Sequence, residues 1–95
     1  MKSSIRQKLE LLVDRLDEID RMLASPDAAN NMEQFRKLSR ERAEVEPVAI
    51  QFNAFRQAEN DLAEAESMLA DPDMREFAEE EMAAAKARLQ ELEIE

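Results

Sequence analysis

Residues 5–23 read IRQKLELLVDRLDEIDRML. Within them Ile5, Leu9, Leu12, Leu16, Ile19 and Leu23 recur at spacings of 4, 3, 4, 3 and 4. A half-buried strand alternates with period two. This stretch repeats every 3.5 residues instead, which predicts a helix with one apolar seam. Val13 and Met22 widen the seam enough for it to meet two neighbours. The helix is expected from Ser3 or Ser4 to Ala24. Ser25-Pro26-Asp27 ends it, because a proline ring disfavours helical geometry at the residue before it.

Working outward, a second helix is expected to begin within Asp27–Met32, where Asn30 and Asn31 are good caps and Glu33 suits the first turn. Its apolar face reads Phe35, Leu38, Val45, Val48, Phe52, Phe55, Ala58, Leu62, Ala65 and Leu69. Pro47 sits inside that pattern. It removes one backbone donor and crowds the carbonyl of Ala43, yet the apolar phase carries on across it. The reading is a kink or a brief break with helix on both sides. A third helix is expected to start at Asp71-Pro72-Asp73, with Asp71 as cap and Pro72 in the first turn. Its inward face is Met74, Phe77, Ala78, Met82, Ala85, Leu89 and Leu92. The chain stops at Glu-Leu-Glu-Ile-Glu without a capping signal, as a fragment of a longer protein would.

Short connections between long helices imply antiparallel neighbours. The expected fold class is therefore all-α: antiparallel helical hairpins or an elongated helical bundle, with three long helices and a kink or break near Pro47. A second helical stretch of about 38 residues would span roughly 57 Å. A straight one gives an extended arrangement, and a sharp fold at Pro47 gives a compact four-helix bundle. The sequence leaves both open.

Composition narrows the chemistry. The 95 residues include no glycine, histidine or cysteine. Without glycine there is no P-loop, dinucleotide motif or nucleophile elbow. Without histidine and cysteine the usual proton shuttles, nucleophiles and soft metal ligands are missing. The expectation is a helical contact surface, not an enzyme, with no cofactor, no metal and no small-molecule substrate. No apolar run approaches the ~20 residues of a membrane span. The first residues turn charged too soon for a signal peptide. A soluble cytoplasmic protein without a membrane partner is expected.

The net charge of −10 is unevenly placed. Residues 1–58 carry ten basic and ten acidic side chains, whereas residues 59–95 carry three and thirteen. Phosphate would be repelled by the second part, so any RNA contact belongs to the first. There Arg36, Lys37, Arg40 and Arg42 form the one basic cluster. Arg36 and Arg40, four residues apart, share a helix face and can reach phosphate oxygens. The competing assignment pairs them with Glu33, Glu41 and Glu44 on the helix surface. No aromatic platform accompanies them, which disfavours single-strand stacking. The acid runs Glu64 with Glu66, and Glu79-Glu80-Glu81, are read as solvated faces, since di-iron bundles also need histidine. The methionines, six in all, are read mostly as core fillers, with Met22, Met74 and Met82 on the seams.

Three segments carry a family resemblance. The opening MKSSIRQKLE (residues 1–10), Phe35-Arg36-Lys37-Leu38-Ser39-Arg40-Glu41 followed by Glu46-Pro47-Val48, and Asp71-Pro72-Asp73-Met74-Arg75-Glu76-Phe77-Ala78 resemble the N-terminal portion of bacterial peptide chain release factor 1. The spacing between the segments agrees with it too. The resemblance implies a ribosome-docking domain in translation termination, reaching toward the GTPase-associated region of the large subunit. A class II release factor GTPase would be a further partner. The family's Pro-x-Thr stop-codon loop and Gly-Gly-Gln hydrolysis loop are absent, because the chain has neither threonine nor glycine. No functional residue is carried over. Read from the residues alone, a free-standing coiled-coil-like adaptor or dimerisation module remains the alternative.

Overall fold

A computed structural model describes residues 1–93. Three α-helices account for nearly all of it: α1 (Ser3–Ala24), α2 (Met32–Met68) and α3 (Arg75–Leu92). A short 3₁₀ helix, Pro26–Asn30, joins α1 to α2. No strand occurs among the described residues. The all-α expectation holds, and α1 has the bounds its seam gives.

The connections explain how a chain without glycine turns. No described residue has a positive φ. At the first corner the Ser25 hydroxyl accepts the Asp27 N–H at 3.3 Å, and Ala28 N–H donates to the Ser25 carbonyl at 3.0 Å. Asn31 then caps α2: its Oδ1 accepts the Gln34 N–H at 3.1 Å, satisfying one of the amides that a helix start leaves without a partner. At the second corner Asp71 Oδ1 accepts the Asp73 N–H at 3.0 Å, and Met74 N–H reaches the Asp71 carbonyl at 3.0 Å. Asp71 thus stabilises a separate turn instead of capping the third helix. α3 starts at Arg75, later than the sequence suggests, with no side-chain cap.

α2 runs unbroken through Pro47. Of the two alternatives at that position, the break does not occur. Ala43 and Pro47 both lie on the exposed side. The carbonyl that loses its donor therefore faces water, and hydration offsets part of the missing bond.

The described residues divide into two compact units, Met1–Ile50 and residues 51–93. In the first, Leu9 and Ile19 of α1 and Leu38, Val45 and Ala49 of α2 are buried. In the second, Phe52, Phe55, Ala58 and Ala65 of α2 and Ala78 and Ala85 of α3 are buried. Burial of alanines on both helices lets their backbones approach closely. Gln51 Nε2 also donates to the Leu92 carbonyl at 3.4 Å.

Three expected core positions are corrected. Phe35, Met74 and Phe77 are exposed, at 37%, 37% and 48%. Met74 precedes α3 as its N-cap, so its side chain leaves the helical face extrapolated back from Ala78. Phe77 lies about 100° around the helix from the buried Ala78, at the edge of the packed face. Phe35 lies in the first turn of α2, one turn short of the first buried residue, Leu38. The capless final residues Ile94 and Glu95 lie outside the described residues.

Candidate functional site

The basic cluster follows directly from the Asn31 cap. That cap starts α2 one residue later, which sets the angular positions of all that follows. Arg36, Lys37 and Arg40 emerge on one side of the helix, all exposed, and with Glu33 they line a shallow surface recess. The Arg36 and Arg40 side chains make no hydrogen bond or ion pair with another described residue. Glu33 and Glu44, the expected surface partners, form none with them. Two unpaired guanidinium groups four residues apart present planar donor forks suited to phosphate or carboxylate oxygens.

Arg42 stands apart from the other three. Its Nε donates to Asp20 Oδ1 of α1 at 2.6 Å, and its Nη1 lies 2.5 Å from Glu46 Oε2. The Asp20 hydrogen bond is the main reason its pKa is raised. Arg42 therefore ties α1 to α2 and is not offered outward. The sequence places it in the cluster by proximity along the chain; a helix position two residues past Arg40 points elsewhere.

A second cross-helix tie was not foreseen. Arg15 of α1 grips Glu41 of α2 with Nε–Oε2 at 2.5 Å and Nη2–Oε1 at 2.7 Å, a bidentate fork. A third bond from Nη1 reaches Glu18 at 2.8 Å. Both Glu41 oxygens are thus taken by Arg15, and neither Arg36 nor Arg40 pairs with them. A reader of the sequence can find the pair only after fixing the α1–α2 register, because the two residues are 26 apart.

The Arg15 hydrogen bond holds the Glu41 pKa below its ordinary value, partial desolvation opposes it, and the charges of Arg15 and Lys37 add to the lowering. A depressed carboxylate pKa stabilises the fold above the unfolded pKa, and the stabilisation is lost as pH falls through the folded one. The unfolding free energy of the wild type should therefore exceed that of Glu41→Gln by a constant margin above about pH 5. The margin should shrink as the solution is acidified further. Urea titrations of both proteins over that range check it; a margin independent of pH would contradict the pairing.

Elsewhere the acids are dispersed. Glu64 accepts a bond from Asn60 Nδ2 at 3.3 Å, and Glu79, Glu80 and Glu81 are exposed. Among the described residues no three acid side chains gather as metal ligands. Nor is any helix among them long and apolar enough to cross a membrane.

A family model, the PCRF domain, matches residues 12–95. The chain belongs to the PCRF domain family. No solved structure matches it. The PCRF match begins within α1 and takes in both connections, α2 and α3, so it also contains the basic cluster. The PCRF domain is a non-catalytic helical domain of release factors. The release-factor resemblance thus stands at the level of the family, and with it a role connected to translation termination.

Proposed function

We propose that this chain is the N-terminal helical domain of a peptide chain release factor 1. In this reading residues 1–95 form a ribosome-docking module of stop-codon-dependent termination in the cytoplasm. The observation that carries it is the PCRF match over residues 12–95, which takes in two of the three segments that resemble factor 1, those at Phe35–Val48 and Asp71–Ala78. The partner is the ribosome, at the GTPase-associated region of the large subunit, with a class II release factor GTPase as a further partner. Codon reading and peptide release belong to domains outside this sequence.

Charge supports a specific face. Residues 59–95 would meet RNA phosphate with thirteen acids against three bases, whereas Arg36, Lys37 and Arg40 are exposed and basic. Phosphate contacts from such side chains position a protein without reading sequence, which fits docking on a fixed ribosomal surface. Arg42, held by Asp20 and Glu46, is assigned to holding the hairpin together.

The test is co-sedimentation with ribosomes. Arg36→Glu with Arg40→Glu should weaken association at least tenfold, and should flatten the salt dependence because fewer counterions are released on binding. Helicity should be unchanged, since neither residue has a partner within the fold. Binding equal to the wild type across a salt titration would remove these residues from the interface. Absence of any ribosome association by the wild type would remove the reading itself.

A further inference from the structure

Pro47 sits inside α2 without breaking it, and this leaves one backbone acceptor without its usual donor. A helical carbonyl is bonded by the N–H four residues on. Proline has no N–H, so the Ala43 carbonyl lacks that bond. Ala43 and Pro47 are both exposed. Only a methyl group stands beside the carbonyl on Ala43, so a ligand can approach the backbone closely there. Such an acceptor takes its donor from water or from whatever covers the helix.

The acceptor shares a face with the unpaired arginines. Arg36, Arg40, Ala43, Pro47 and Ile50 follow at spacings of 4, 3, 4 and 3, the repeat that keeps residues on one side of a helix. All five are exposed, and all lie in the first unit. Ala43 is three residues beyond Arg40, about 4.5 Å along the axis. Two neighbouring acids are drawn away from this face, Glu41 by Arg15 and Glu46 by Arg42. The face therefore offers two cationic forks, then a neutral acceptor, then the apolar surface of Pro47 and Ile50.

An RNA backbone supplies the matching groups in the same sequence. Each nucleotide carries a phosphate for an arginine and a 2′-hydroxyl that can donate to a carbonyl; DNA has the phosphate and lacks the donor. We propose that this face docks along the sugar–phosphate edge of RNA. Arg36 and Arg40 hold phosphate oxygens, and the Ala43 carbonyl accepts a hydrogen bond from a ribose 2′-hydroxyl. Pro47 is then a specificity-determining residue, because it keeps that carbonyl free. With an N–H at position 47 the helix would use the acceptor itself. None of these contacts reads a base, so the face distinguishes RNA as a substance and not by its sequence.

This inference rests on the reading of the chain as a ribosome-docking module and narrows the contact made by this face to ribosomal RNA. An acidic protein surface could also meet the arginines, but its binding would be blind to ribose.

Fluorescence anisotropy of the purified chain with a short RNA hairpin, and with the same hairpin built on 2′-fluoro ribose, tests it. The fluoro sugar keeps the RNA helix form and cannot donate. The wild type should bind the natural hairpin about threefold to tenfold more tightly, the worth of one hydrogen bond. Pro47→Ala should bind both hairpins equally, because its new N–H occupies the Ala43 carbonyl. It should also resist urea better than the wild type, which separates lost discrimination from lost folding. Arg36→Glu with Arg40→Glu should weaken binding to both hairpins by a similar factor. Equal binding of the two hairpins by the wild type would overturn the proposal, as would a preference that survives Pro47→Ala. No binding of either hairpin would overturn it as well. Co-sedimentation of the wild type with ribosomes reports on docking separately: if it persists in any of those three cases, docking stands and the ribose contact falls.

Discussion

Phe52→Ala should lower the unfolding free energy by about 3–5 kcal/mol, the largest loss from any single truncation in the second unit. Phe52 is 0% exposed, so the whole ring is removed from a packed site. The Arg56 guanidinium carbon also lies 4.7 Å from the ring centroid, an attraction that a methyl group cannot reproduce. Arg56 is held there by a bond from Nη2 to Asn53 Oδ1 at 2.5 Å. For a chain of 95 residues, the usual stability per residue gives a total of roughly 5–14 kcal/mol. The loss is therefore about a fifth of the total or more, and the urea midpoint of the variant should fall accordingly. Phe52→Leu keeps much of the volume and should lose less. Urea unfolding followed by circular dichroism measures both, and a Leu variant as stable as the wild type would show that ring and cation contribute nothing beyond volume.

Ile19→Ala is the matching experiment in the first unit, with an expected loss of about 2–5 kcal/mol. Ile19 is also 0% exposed, and it lies one residue before Asp20, whose carboxylate holds Arg42. The cavity would open beside that cross-helix tie. Leu11→Ala in the same helix is the control: Leu11 is 67% exposed, and its truncation should change stability by no more than about 0.5 kcal/mol. If both variants behaved alike, the assignment of the buried face of α1 would be wrong.

The contrast between Leu11 and Ile19 was legible in the sequence. Leu11 falls outside the 3.5-residue seam, and Ile19 falls on it. The seam could not rank its own members, however. Leu9 and Ile19 are buried, whereas Ile5, Leu12, Leu16 and Leu23 are only half-buried, because a single neighbouring helix covers the middle of an apolar stripe better than its margins. Helix existence was legible for the same reason as the seam: periodicity averages over many residues. Boundaries were legible where a side chain caps directly, as at Asn31, and misread where Asp71 spends its oxygen on a local turn.

Pro47 was the hardest element to read. Proline in a helix interior ordinarily costs about 3 kcal/mol, and whether a helix survives depends on where the stranded carbonyl points. That direction is a property of the packed hairpin, not of the residue. The candidate site divides in the same way. Arg36, Lys37 and Arg40 share a face by helical spacing alone. The withdrawal of Arg42 and Glu41 from that face depends on Asp20 and Arg15 in another helix, and on a register that no local pattern specifies.

The boundary between the two units falls at Ile50 and Gln51, inside α2 and not in a loop. Severing the polypeptide there would strip four carbonyls and four amides of their helical partners at a point where neither half supplies a cap. The halves are consequently poor candidates for dissection or for grafting as separate modules. Any chimera that borrows one hairpin should carry α2 in full, and an engineered split of this protein belongs at Ser25–Asn31 or at the Asp71 corner.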